Sequence, residues 1–330
     1  MAARIRLGAT FSARRAVEAG LEPLSALGEV LSMGLRPLRL CAYWEEIAKE
    51  GYGSLDRQLE AAERADAPVC LVIGMKSPGW PEFHLPDAVR PSLGRGADVA
   101  RAAGLREAVL EFLGETVDRY REHPAVRWWQ VENEPLNRSG PQAWWIGRSL
   151  LEAELAFVQG ADQRPVVLTC FSRFDRRTDV ASGHRRLNPG ALLGRGSGAE
   201  AEALSLLRPG DVLGLDVYRR IGRPDGTVAE AAPNWLRYAS RWERRAHLLG
   251  IETWVTEAQA EPWEPDSGQH WTDPRSQEPE DPPDLVHRLV DAEFRTILLW
   301  GAEYWLAQER RGDRRWRDQI TELAAEYGSG

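Results

Sequence analysis

Lysine is nearly missing from this chain. Of its 42 basic side chains only Lys49 and Lys76 are lysine, and neither lies inside a strand-like run. An aldolase of the Schiff-base kind requires a strand-borne lysine, so that chemistry is disfavoured. The six histidines are scattered singly without metal-ligand spacing, which argues against a metal-dependent isomerase. Cys41, Cys70 and Cys170 sit in apolar runs and read as buried free thiols, not as a disulfide framework. No apolar run reaches membrane-spanning length. No Gly-rich phosphate loop or nucleophile elbow is found, and no cofactor or metal is implied. A net charge of −8 weighs against nucleic acid or an anionic membrane as partner. No signal-peptide stretch precedes the first strand. A cytoplasmic location is therefore expected, or a secreted one where a leader has been removed. Nothing in the sequence sets the oligomeric state.

What is present is an alternation of short apolar runs with helical patterns, the mark of βα units and a parallel sheet. Eight strands are expected, at 5–9, 37–41, 68–73, 126–130, 165–169, 212–218, 252–256 and 303–306. Leucine spacing supports helices between them, as in Leu24, Leu27 and Leu31 or Leu105, Val109, Leu113 and Val117. Helix seven is expected over 284–300. Long loops follow strands three, five and seven, and the connections after helices are short. That asymmetry predicts an α/β fold: a single (β/α)8 TIM barrel over residues 1–330, with its active site at the strands' C-terminal face.

Two strand ends carry carboxylates. The fourth strand runs through Trp128, Trp129, Gln130 and Val131 into Glu132, Asn133 and Glu134, and Pro135 ends it. The seventh runs through Thr253, Trp254, Val255 and Thr256 to Glu257. Two carboxyls across a barrel mouth are what glycoside hydrolysis needs, provided their surroundings hold them in different protonation states. Fourteen tryptophans offer faces for sugar stacking.

With its Asn-Glu-Pro ending on strand four, the chain resembles the retaining (β/α)8 glycoside hydrolases of clan A. The run from Arg39 through Trp44 to Ile47 resembles cellulase-like family 5 and the related β-galactosidase families. The resemblance implies Glu134 as general acid/base, Glu257 as nucleophile and Asn133 as the partner of the sugar 2-hydroxyl. It implies Arg39 and Tyr218 as groups that hold the nucleophile, with Trp44 following the arginine. Trp305, at the end of the expected eighth strand, is the implied aromatic floor. Trp80 and His84 in the third loop, and Gln259, Glu261 and Trp263 after strand seven, are further subsite candidates. The chain departs from family 5 at strand six, where Arg219 follows Tyr218 and no histidine is paired with it. The expected activity is hydrolysis of β-glycosidic bonds in an oligo- or polysaccharide. A transglycosylase using the same glutamates, or a non-catalytic carbohydrate-binding barrel, is the alternative.

Overall fold

The computed structural model describes residues 4–171, 198–265 and 267–327. Ten strands are described: β1 (Arg6–Thr10), β2 (Leu38–Cys41), β3 (Val69–Ile73), β4 (Val126–Val131), β5 (Val166–Phe171), β6 (Val212–Val217), β7 (Arg220–Gly222), β8 (Val228–Glu230), β9 (Glu252–Gln259) and β10 (Thr296–Trp300). β7 and β8 form a separate antiparallel hairpin. The other eight are parallel and close into a barrel in the order β1-β10-β9-β6-β5-β4-β3-β2. Helices surround it, so the strands are covered on both faces. That is why runs such as Val69–Ile73 are buried at every position and show no polar alternation.

Two layers fill the barrel interior. Cys70, Val167, Val212, Trp254 and Leu298 form a cluster of their own, apart from the main core under the helices. Above them lies a polar layer of Thr10, Arg39, Gln130, Thr169 and Thr256, tied by hydrogen bonds across strands. Side chains of alternate strand positions point inward, so β5 and β9 contribute to both layers, through Val167 and Thr169 and through Trp254 and Thr256. Among the described residues, no helix is long and apolar enough to cross a membrane.

The eighth barrel strand corrects the sequence reading. It is Thr296–Trp300, not residues 303–306, which lie in the helix Ala302–Arg310. A five-residue apolar run can read as a buried strand or as the end of a helix, and the expected helix seven absorbed it. That helix ends at Asp291. Gly301, at φ 136°, makes the turn between strand and helix, and a Cβ there would lie 2.8 Å from that of Glu261. Two short helices, Ala13–Glu18 and Trp44–Glu50, and the β7–β8 hairpin are also absent from the sequence reading. The long loop expected after strand five falls on 172–197, outside the described residues.

Two glycines test the packing. A Cβ at Gly8 would lie 1.9 Å from the Pro37 carbonyl oxygen, a backbone atom that cannot rotate away. Gly8→Ala is expected to destabilise by about 1–3 kcal/mol, as overpacking does. Gly28 is exposed within the helix Pro23–Ser32 and meets nothing within 4 Å. Gly28→Ala is expected to stabilise by up to about 1 kcal/mol. Urea denaturation should show midpoint shifts of opposite sign; shifts of the same sign would contradict these placements.

Candidate active site

The tip of β4 is built from an unusual backbone. Glu132 and Glu134 have φ of 60° and 43°, left-handed values that residues with a side chain adopt at a cost. Neighbouring strands hold them there. The Glu132 carboxylate accepts the N–H groups of Met75 and Lys76 at 2.9 and 2.6 Å. Asn133 N–H donates to the Lys76 carbonyl at 2.7 Å, and Glu134 N–H donates to Thr169 Oγ1 at 2.8 Å. The reversal turns Glu132 away from the cleft toward Glu154 on the helix Arg148–Ala161, and turns Glu134 into the cleft.

Opposite stands β9, which carries a bulge. Leu215 pairs with Val255 and Asp216 with Glu257; on the other side Ile297 pairs with Val255 and Leu299 with Ala258. One extra residue in β9 lets Thr256 and Glu257 both project into the barrel, where strict alternation would admit one. Both Glu257 oxygens are engaged. Arg39 Nη1 donates to Oε1 at 2.7 Å, and the Tyr218 hydroxyl donates to Oε2 at 2.6 Å. Arg39 also donates through Nε to Gln130 at 2.7 Å and through Nη2 to Asn133 Oδ1. Gln130 and Thr169 add donors to the same Oδ1 at 3.2 Å each. The Asn133 amide nitrogen is thereby the end left to face the cleft.

Electrostatics separate the carboxyls. Burial pushes the Glu134 carboxyl up to about 7; Glu257 adds to the rise, and Lys76 opposes it. Burial, with Glu257 and Glu134 nearby, holds the Asp216 carboxyl well above the usual range. One carboxylate oxygen each from Glu134, Asp216 and Glu257 lies within 4.8 Å of the others. Among the described residues this trio has the spacing that could hold a metal ion. However, Glu257 already accepts on both oxygens, and Arg39 supplies the positive charge there.

A cleft of about 1180 Å³ opens over the trio. Asn133, Glu134, Tyr218, Glu257, Glu261, Trp80 and Trp263 line it, and Arg39 lies fully buried beneath. Trp80 is 66% exposed. Four other candidates do not line the cleft. Trp305 is fully buried on the helix Ala302–Arg310, where its Nε1–H donates to the Ala260 carbonyl at 2.6 Å. The aromatic at the end of the eighth strand is instead Trp300, with the Arg15 guanidinium 4.5 Å over its ring. His84 is fully buried between Glu45 and the Gly79 carbonyl, 3.3 Å from each. Trp44 stacks on Phe112 at 4.9 Å. Gln259 is buried and takes the N–H groups of Arg219 and Arg220 at 2.9 and 3.0 Å, which seats the hairpin.

Sequence reasoning leaves out Arg15, Trp300 and the place of Asp216 in the trio. Asp216 did leave a signal, as the one charge in the apolar strand Val212–Val217. Arg15 left none. It donates to both Glu261 oxygens at 2.7 Å and lies 3.6 Å from Glu303, whose carboxyl burial pushes up to about 7.

No protein-family model matches the chain, and no curated protein matches it by sequence. Solved structures match its fold. An endo-1,4-β-D-mannanase from Thermotoga petrophila superposes with a TM-score of 0.55 at 14% identity, over 90% of this chain and 88% of that one. The GH5_18 protein from Bifidobacterium longum subsp. longum gives 0.60 at 13% identity, over 99% and 80%. A cold-adapted β-galactosidase from Rahnella sp. gives 0.62 at 12% identity, over 99% of this chain and 56% of that one. At such identities the likeness establishes a shared (β/α)8 barrel fold and singles out no family.

The Arg39–Glu257 pair makes a stability prediction. Arg39→Met leaves the buried Glu257 charge without its cation and is expected to cost about 3–5 kcal/mol. Adding Glu257→Gln removes that charge and should recover part of the loss. A double-mutant cycle by denaturation measures the coupling, and strictly additive losses would show that the two groups act independently.

Proposed function

We propose that the protein is a retaining glycoside hydrolase that cleaves β-glycosidic bonds by double displacement. The observation that carries this reading is the pair Glu134 and Glu257. They are two buried carboxyls at one cleft, with oxygens within 4.8 Å and unlike surroundings. Retaining enzymes hold such carboxyls about 5–5.5 Å apart and inverting ones about 6.5–9.5 Å, so the short spacing favours retention. Glu257, paired with Arg39 and aimed by Tyr218, attacks the anomeric carbon as the bond to the leaving oxygen breaks. Glu134 gives its proton to that oxygen. It then takes a proton from water, and the water displaces Glu257 from the sugar. The Asn133 amide is placed to donate to the 2-hydroxyl. Trp80, Trp263 and Trp300 offer faces to sugar rings. The same fold serves a mannanase and a β-galactosidase, which supports a β-linked sugar as the substrate class without choosing one.

Because Glu134 donates only when protonated and its carboxyl is pushed up to about 7, the proton is present below that pH. Hydrolysis of glycosides with poor leaving groups is therefore expected to fall as pH rises through about 7. A panel of aryl β-glycosides and β-linked oligosaccharides, with Glu257→Gln as control, tests the activity itself. Transfer to an acceptor sugar in place of water would identify a transglycosylase. Glu134→Ala should release a burst of phenol from an activated aryl glycoside and then stall for want of a base. Azide needs no base and should restore turnover, giving the β-glycosyl azide. Glu257→Ala should show neither burst nor that rescue. An α-azide from Glu134→Ala, or like behaviour of the two variants, would overturn the roles.

A further inference from the structure

Lys76 is singular in two respects. It is one of two lysines in a chain that otherwise uses arginine for its 42 basic side chains, and it is fully buried. A guanidinium presents five donors in a rigid fork, whereas an ammonium is a compact point charge. Beneath the β4 tip two acceptors meet that charge: the Glu134 carbonyl at 2.9 Å and a Glu82 carboxylate oxygen at 3.0 Å. The main chain of the same residue makes two more contacts. Its N–H donates to Glu132 Oε2 at 2.6 Å, and its carbonyl accepts from Asn133 N–H at 2.7 Å. One residue of the loop after β3 thus bonds three successive residues of the β4 tip. Two of the three are the left-handed Glu132 and Glu134, a conformation worth about 1–3 kcal/mol of strain each. The strain persists only if the surroundings hold it; Met75 holds Glu132 and Thr169 holds Glu134, while Lys76 meets both and Asn133 between them.

We propose that Lys76 is a positioning residue for Glu134: it clamps the β4 tip from the loop after β3 and, paired with Glu82, sets an ion pair beneath that residue. The role assigned to Glu134 rests on the glycosidase reading above. Charged and titratable groups face Glu134 from every side. Lys76 and Glu82 come from the β3 loop, Glu132 from its own strand with Glu154 behind it, Asp216 from β6, and Glu257 from β9 with Arg39 beneath. Within this set Lys76 and Glu82 act with opposite sign, the first lowering and the second raising the Glu134 carboxyl. Both can be neutralised without altering the side chain of Glu134 or Glu257.

The test uses Lys76→Met and Glu82→Gln in the full chain, with two readouts. One is the pH profile of kcat/KM on a glycoside with a poor leaving group. The other is the carboxyl ¹³C titration of glutamate-labelled protein, with Glu134→Gln assigning the signal. In Lys76→Met the descending limb and the carboxyl titration should both move up by about one pH unit, and in Glu82→Gln both should move down. Lys76→Met should also lower kcat by roughly tenfold to a hundredfold with little change in KM, since it misplaces the acid without removing a substrate contact. A merely structural lysine would cost stability in one variant without driving the two titrations apart. No movement in either variant, or movement in the same direction, overturns the proposal. If Lys76→Met does not fold, a downward shift in Glu82→Gln supports it and an unmoved titration overturns it. If the carboxyl titrations separate as expected while wild-type protein hydrolyses no glycoside, the clamp stands and the glycosidase reading fails.

Discussion

A fully buried guanidinium lies at the centre of the barrel, and the site is arranged around satisfying it. Removing a cation from water costs several kcal/mol unless its donors are met and its charge is balanced. Arg39 finds Gln130 on β4, Asn133 at the β4 tip and Glu257 on β9, with Thr10 and the Thr256 carbonyl at 3.4 Å. One side chain from β2 therefore fixes the relative positions of the two strand tips that carry the candidate catalytic groups. The bulge in β9 belongs to the same solution. Without the extra residue, Thr256 and Glu257 could not both face inward, and either Asp216 would lose its hydroxyl partner or Arg39 its carboxylate.

The same arrangement makes two chemically identical side chains unlike. Glu257 receives a guanidinium on one oxygen and a phenol on the other. Glu134 receives at its carboxyl one amide donor, Asn137 at 3.2 Å. Its strong contacts are made by its main chain, to Thr169 and Lys76. Burial outweighs the opposing Lys76 charge at Glu134 and lifts its carboxyl to about 7. The environments diverge because the protein holds Glu257 by its head group and Glu134 by its backbone. That is a physical route to two carboxyls of unlike surroundings at one cleft, as the proposed acid and nucleophile require.

The strand–helix alternation was legible because parallel strands covered on both faces leave unbroken apolar runs. Glu134 and Glu257 were legible because each ends such a run. The eighth strand was not: Thr296–Trp300 is too short for periodicity to tell strand from helix, and the error carried the expected aromatic from Trp300 to Trp305. His84, Trp44 and Gln259 failed for another reason. Proximity to a strand end does not fix direction once the backbone leaves the strand. Each of these side chains turns to a neighbouring element: Glu45, Phe112 and the hairpin. At the β4 tip the positive φ of Glu132 breaks the two-residue alternation that sequence reasoning relies on. Arg15 was invisible because its partners Glu261 and Glu303 lie about 250 to 290 residues away along the chain.

Arg15 repeats the logic of Arg39 on the other side of the cleft. It too is a cation set among carboxylates, held by Glu261 just beyond β9 and near Glu303 at the start of the helix Ala302–Arg310, with Trp300 beneath it. While Glu303 keeps its proton, the Arg15–Glu261 pair is balanced. Burial places the loss of that proton at about 7, the region where Glu134 also ionises. Both groups line one cleft, yet different charges act on them: Lys76, Glu257 and Glu82 on Glu134, and Arg15 and Glu261 on Glu303. The cleft is thus built on two arginines, the buried Arg39 and the partly buried Arg15, each matched by its own carboxylates.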